Sequence, residues 1–154
     1  MPVAELKAFL EENGVKYDSI KHAKAFTAMD VAQTAHVRGK EIAKTVMVKM
    51  DGHLAMAVLP ATRMLDVDLL RIAAGARSVE LAKEPDFQGD FPGCEVGAMP
   101  PFGNLYHMDV YVEPHLSADP EIAFNAGSHT ELVRMSYKDF ARLVHPKVLP
   151  IASA

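Results

Sequence analysis

The sequence has no tryptophan, a single cysteine, and no apolar run near the roughly 18 residues that a membrane span requires. Cys94 alone cannot close an internal disulfide, so the expected compartment is reducing. The first fourteen residues have neither the unbroken apolar stretch nor the small-residue cleavage site of a secretory leader. The expectation is a cytoplasmic protein that does not enter a membrane. The seven histidines are scattered, with no H-E-x-x-H and no cysteine pair, which argues against a metal site. There is no G-x-x-x-x-G-K-[ST] to cradle a nucleotide phosphate and no G-x-S-x-G nucleophile elbow. Cys94 follows Phe91-Pro-Gly with no activating signature, which disfavours it as a nucleophile. No cofactor is expected.

What is present fits one domain over residues 1–154. Hydrophobic residues make up 49% and charged residues 23%, ordinary values for a soluble globular chain. The net charge of −4 argues against a protein that coats nucleic acid by charge alone. That charge is unevenly spread. Residues 1–50 hold eight Lys and Arg against six acids, whereas the remainder holds eight against fourteen. The basic N-terminal third is either a face for a phosphate backbone or ordinary solvated surface.

Periodicity then outlines the elements. Val3, Leu6 and Leu10 share a face of a first helix that Gly14 would cap. Tyr17–Ile20 reads as a strand. Thr27 with Asp30 is a capping pair, and Ala28, Val31, Ala32 and Ala35 continue a helix to Val37. Val46, Val48 and Met50 alternate, Asp51-Gly52 signals a hairpin, and His53–Leu59 returns. A helix over Leu65–Ala74 is capped by Asp66, with Gly75 beyond its end. Residues 84–107 are irregular and long enough to suggest function. Asp109–Glu113, Ile122–Asn125 and Thr130–Met135 are strands, and Ser136 with Asp139 opens a last helix. Hairpins among helices imply an α+β fold with a mixed, barrel-like sheet surrounded by helices.

Three places carry candidate chemistry. Lys44 shares a strand face with Val46, Val48 and Met50, so it points inward at the strand mouth. It is either an ammonium aimed at a ligand oxygen or a strand-end lysine whose head reaches water. The loop Gly97-Ala-Met-Pro-Pro101-Phe102-Gly103 combines close backbone approach with stiffness, which suits N–H donors for an oxyanion. It is otherwise a plain turn. The stretch Asn125-Ala-Gly127-Ser128-His129 ends a strand, and its polar groups either enter a cleft or hold the turn.

Taken in order, these pieces resemble the YbaK/prolyl-tRNA-synthetase-associated family of aminoacyl-tRNA deacylases, the ProX-like editing domains. The matching segments are His22 with Thr27-Ala-Met-Asp-Val-Ala32, Ala43-Lys44-Thr45-Val46, Leu54–Pro60, Leu65-Asp66, Gly97–Gly103 and Phe124-Asn-Ala-Gly127 leading to His129. They cover most of the chain. The resemblance implies hydrolysis of the ester joining an amino acid to the 3′-terminal adenosine of released mischarged tRNA, without a metal. It implies that Lys44 and Gly97 are catalytic, the one orienting the substrate terminus and the other offering its N–H near the scissile carbonyl. It further implies that His22, Thr27, Pro101, Phe102, Gly127, Ser128 and His129 bind substrate.

The expected substrate is proline tRNA carrying alanine, cysteine or serine, bound through its 3′ end by a monomer, with prolyl-tRNA synthetase as a further partner. Two rivals predict other outcomes. A non-catalytic module would bind a tRNA end or nucleotide without cleaving it, and a synthetase-docking module would bind protein and ignore Lys44→Ala.

Overall fold

The computed structural model describes residues 3–25, 27–87, 89–95 and 97–153. The side chains of Val3 and Ala28, which the spacing puts on inner helix faces, lie outside that description. Helix α1 (Val3–Glu12) buries Leu6 and Leu10 completely and ends in a turn through Gly14 at φ +69°. Strand β1 (Tyr17–Lys21) leads to α2 (Ala28–Ala35), whose first turn is capped by Thr27: its Oγ1 accepts from the Asp30 N–H at 3.1 Å. Strands β2 (Ala43–Met50) and β3 (His53–Pro60) pair in register from Ala43↔Pro60 to Met50↔His53. Asp51 and Gly52 between them both have positive φ, as a two-residue hairpin turn requires.

After β4 (Met64–Leu65), α3 (Val67–Ala74) starts from Asp66, whose Oδ1 accepts from the Asp68 and Leu69 N–H groups at 3.0 and 3.1 Å. There follow β5 (Val79–Leu81), α4 (Glu84–Phe87), β6 (Val110–Val112) and α5 (Pro114–Ser117). The chain closes with β7 (Glu121–Asn125), β8 (Glu131–Ser136), α6 (Tyr137–Val144), β9 (Lys147–Val148) and β10 (Ala152–Ser153). Five strands form one sheet in the order β5-β2-β3-β6-β9, three form another in the order β1-β8-β7, and β10 pairs with β4. The β3–β6 and β6–β9 pairs are parallel and the others antiparallel. This is the expected mixed α+β architecture, with the two larger sheets meeting at a parallel bridge, Ile42↔Ala123.

Alternation explains where each face goes. Met47, Met56, Val58, Val110 and Val112 turn toward the main core with Ile122, Phe124, Val133 and Met135 of the smaller sheet. On the opposite face Val48, Ala55, Ala57 and Tyr111 pack under Leu70 of α3. The smaller sheet's outer face, Ala123 and Leu132, is covered by Val31 and Ala32 of α2.

The expected irregular stretch 84–107 differs from a surface loop. It contains α4 and a 3-10 turn at Gly103–Leu105, and it buries Phe91, Ala98, Met99 and Phe102. Its prolines and glycines break periodicity while its apolar residues still fill the core. Strands β4, β5, β9 and β10 also went unread, because two or three residues are too few to display an alternation.

Candidate functional site

Strand β2 is paired with β3 along its whole length, but its other edge meets β5 only at Val48–Met50. At its start the chain touches β7 through Ile42↔Ala123. Between these points the edge of residues 43–46 faces a cleft of 140 Å³, lined by Ile42, Ala43, Lys44, Thr45, Val46, Gly97, Met99 and Asn125. The cleft exists because the two sheets diverge on either side of one bridge.

Its far wall is backbone. The Glu95 N–H donates to the Gly127 carbonyl at 2.8 Å, and the Gly127 N–H donates to the Ala98 carbonyl at 2.9 Å. These bonds fasten the loop carrying Gly97 to the turn after β7. Gly97 has φ +82°, a left-handed conformation that side chains rarely adopt. A Cβ placed on it would lie 3.7 Å from His129 Cε1, an ordinary contact, so the conformation rather than the space demands glycine. Among the described residues the Gly97 N–H has no backbone acceptor.

Lys44 is half-buried at the opposite wall. Burial pushes its ammonium below the usual lysine range, and among the described residues no carboxylate offsets that effect. Asn125, the last residue of β7, lines the cleft with a side-chain Oδ1 that is shielded from solvent and has no hydrogen-bond partner among the described residues. Buried polar atoms are nearly always paired, and this one has the capacity to accept a hydrogen bond at the cleft. Among the described residues no three His, Cys, Asp or Glu side chains are grouped to hold a metal ion.

The structure brings Lys44 and Gly97 together in one cleft, as the sequence reading expected of its two principal residues. The others lie behind or beside it. Gly127 anchors the Gly97 loop, and buried His129 backs it, with Nε2 3.9 Å from Glu95 Oε2. His22 donates its N–H to the Thr130 carbonyl at 2.9 Å, and its Nδ1 lies 2.7 Å from the Ala23 carbonyl. Ser128 Oγ accepts from the Thr130 N–H at 3.4 Å, and Thr27 caps α2. Pro101 is buried. Phe102 is fully buried among Phe9, Phe124 and Phe140, at ring distances of 6.1, 5.5 and 5.5 Å, so its side chain does not reach the cleft. Asn125, Thr45 and Met99 stood inside the candidate segments but were not singled out as site residues. For Asn125 the available signal was an amide at the end of an otherwise apolar strand.

The model of the family described as "aminoacyl-tRNA editing domain" matches residues 22–143. The Escherichia coli K12 multifunctional Ser/Thr-tRNA deacylase ProXp-y is 27% identical over 152 residues, covering 94% of this chain and 89% of that protein. Among solved structures, a candidate trans-editing enzyme for prolyl-tRNA synthetase superposes with a TM-score of 0.82 at 19% identity, covering 99% of this chain and 97% of the other. The hypothetical protein APE2540 superposes with a TM-score of 0.83 at 20% identity, covering 96% and 99%.

Proposed function

Because the chain belongs to the aminoacyl-tRNA editing domain family and is therefore an aminoacyl-tRNA deacylase, we propose that it removes small hydroxyl-bearing amino acids from mischarged tRNA in trans, using the cleft between Lys44 and Gly97. The observation that carries this reading is the convergence of an ammonium, a glycine backbone and a partnerless amide oxygen on one small space. At 140 Å³ the cleft is well below the roughly 300–1,000 Å³ of pockets that enclose a drug-sized ligand. It takes a small side chain and the ester carbonyl and leaves the adenosine at its mouth.

In the proposed reaction a water attacks the ester carbonyl, and the carbonyl oxygen becomes an oxyanion. The Gly97 N–H and the Lys44 ammonium face that charge from opposite walls. Collapse breaks the bond to the ribose 3′ oxygen, which takes a proton, with the neighbouring 2′-hydroxyl sharing that transfer. Amino acid and tRNA with a free 3′-hydroxyl leave. An ester is already reactive, so positioning and oxyanion stabilisation are sufficient catalysis. His129, Gly127 and His22 position the loop, and Thr27, Ser128 and Pro101 support the surrounding turns.

Among the expected amino acids the lining favours serine, and threonine joins it, the pair named for the curated relative. Asn125 Oδ1 supplies the reason. A substrate β-hydroxyl donates to it, whereas alanine leaves it unpaired. Release of labelled amino acid from Ser-, Thr-, Ala-, Cys- and Pro-charged proline tRNA tests this directly. Serine and threonine should be released fastest, and Asn125→Ala should reduce the serine-to-alanine preference by about tenfold or more. An unchanged preference removes Asn125 from specificity. Tight binding of every species with no release would make the protein a tRNA-end binder instead. Addition of prolyl-tRNA synthetase to the same assay tests whether that enzyme is a partner, through a change in release rate.

Gly97→Ala tests the loop. A left-handed conformation costs an L-residue about 1–2 kcal/mol, so the melting temperature should fall by a few degrees. The N–H should also shift, lowering kcat by about tenfold or more while leaving KM nearly unchanged. Full activity in this variant would take the loop out of the reaction.

A further inference from the structure

The cleft wall begins at the Ala43↔Pro60 pair, and beside that pair lies a second depression of 300 Å³. It is lined by Lys40, Pro60, Thr62, Arg63, His115 and Asp119. Three separate segments bring their cationic or imidazole side chains to it. The Ile42 carbonyl accepts from the Ala61 N–H at 2.9 Å, and the Ile42 N–H donates to the Gly39 carbonyl at 3.2 Å, so the turns bearing Lys40 and Arg63 lie side by side. Close packing reinforces this, because a Cβ on Gly39 would press on Thr62 Cγ2 and Met29 Sδ at 3.2 Å.

The third segment is α5. Glu113, buried at its start, accepts from the His115 N–H at 2.8 Å and the Leu116 N–H at 3.3 Å through Oε2. Its Oε1 lies 2.5 Å from His115 Nδ1, which fixes the imidazole ring and leaves Nε2 for another partner. The His115 side chain is 62% exposed. Among the described residues neither Lys40 nor Arg63 belongs to an ion pair. The one acid in the lining, Asp119, interacts with Arg38, which offsets part of its field. In a chain of net charge −4, two neighbouring cations with no ion pair among the described residues run against the overall sign. Its chemistry is that of a phosphate receptor, with two charge-assisted donors and an imidazole nitrogen brought together from three segments.

We propose that Lys40, Arg63 and His115 bind a backbone phosphate of the substrate RNA while its esterified 3′ end occupies the cleft. The proposal rests on the deacylase reading above. Lys40 precedes Lys44 by four residues, at most about 13 Å of chain, so a ligand in the cleft has its nearest phosphates within reach of the pocket. A free phosphate ion would satisfy the same donors, but the Ala43↔Pro60 pair, which sets one residue of each lining side by side, favours one attached to the substrate. The basic excess in the first third of the sequence finds a use here in Lys40, completed by residues from beyond it.

The test compares wild type with Lys40→Gln/Arg63→Gln and with His115→Gln. One arm measures hydrolysis of seryl-tRNA and of 3′-O-seryl-adenosine, which carries no phosphate. A second measures binding of uncharged tRNA against salt concentration, with and without inorganic phosphate as competitor. The double variant should raise KM for seryl-tRNA about tenfold at unchanged kcat. It should flatten the salt dependence of tRNA binding by about one unit of log–log slope. Hydrolysis of seryl-adenosine should stay the same, and phosphate should compete with tRNA only in the wild type. His115→Gln should shift KM in the same direction by a smaller factor. Equal KM and equal slope in all three proteins would overturn the proposal, as would equal losses on both substrates with a lowered melting temperature. If wild type hydrolyses neither substrate, the deacylase reading fails, and the uncharged-tRNA arm still decides the phosphate pocket.

Discussion

Lys44→Ala should lower kcat/KM for seryl-tRNA by about 100-fold or more while the protein remains folded. The expectation follows from where the ammonium stands. It is half-buried in a cleft that Gly97 also lines, with no carboxylate among the described residues to hold it there. A buried cation without a counter-ion is destabilising in the free protein. It becomes favourable when a negative oxygen arrives, which is the differential binding that accelerates a reaction.

The same feature predicts how stability responds to pH. Burial holds the Lys44 pKa below its ordinary 10.5. Between the depressed folded value and 10.5 the unfolded chain binds more protons than the folded one, so stability rises with pH through that window. Below the window the folded protein carries the whole desolvation penalty. Lys44→Met should therefore melt at or above the wild-type temperature at pH 7 and lose the wild-type gain on the alkaline side. Calorimetry at pH 7 and near pH 10 checks both parts. A melting temperature several degrees lower at pH 7, together with lost activity, would make Lys44 a structural residue instead.

Phe102→Ala should destabilise the fold by about 3–5 kcal/mol, a large part of the ~5–15 kcal/mol that holds a typical domain. Its ring is fully buried against Phe9, Phe124 and Phe140, so it joins α1, β7 and α6 to the long central segment. Removing it opens a cavity where three elements meet, and the melting temperature should fall by on the order of ten degrees. Phe102→Leu keeps most of the volume and should keep most of the stability. Below its melting transition Phe102→Ala should retain the wild-type preference among charged tRNAs. Family resemblance made Phe102 a substrate contact, and wild-type stability with altered preference would restore that role.

Phe102 shows how far the residue pattern could be read. The motif Gly97–Gly103 marked the right stretch, but a motif does not say which of its residues face a ligand and which face the core. Gly97 lies at the cleft with φ +82°, and five residues later Phe102 is the centre of an aromatic cluster. Lys44 was more legible. Period-two alternation in β2 placed it on the side of Val46 and Val48, and a lysine in that row is conspicuous. Asn125 gave a weaker signal, an amide at the end of an otherwise apolar strand. Its proposed role rests on an Oδ1 with no partner among the described residues, a property of the packed surroundings and absent from the string of residues.

Local rules acting over a few residues were sufficient for much of the chain. The Thr27, Asp66 and Ser136 caps, the Asp51–Gly52 hairpin and the alternation of β2 and β3 depend on neighbours near in sequence, so the sequence by itself determined the α+β class and most element positions. The site was decided by tertiary structure. The cleft exists only because β2 and β7 touch at Ile42↔Ala123 and diverge beyond it, and because Gly127 fastens the Gly97 loop across the gap. Those contacts join residues some 80 and 30 positions apart, and no periodicity records such a distance. The proposed phosphate pocket likewise gathers residues 40, 63 and 115 from three separate segments. A side chain's neighbours along the chain set its secondary structure, whereas its neighbours across the fold set its charge state, its partners and its chemistry.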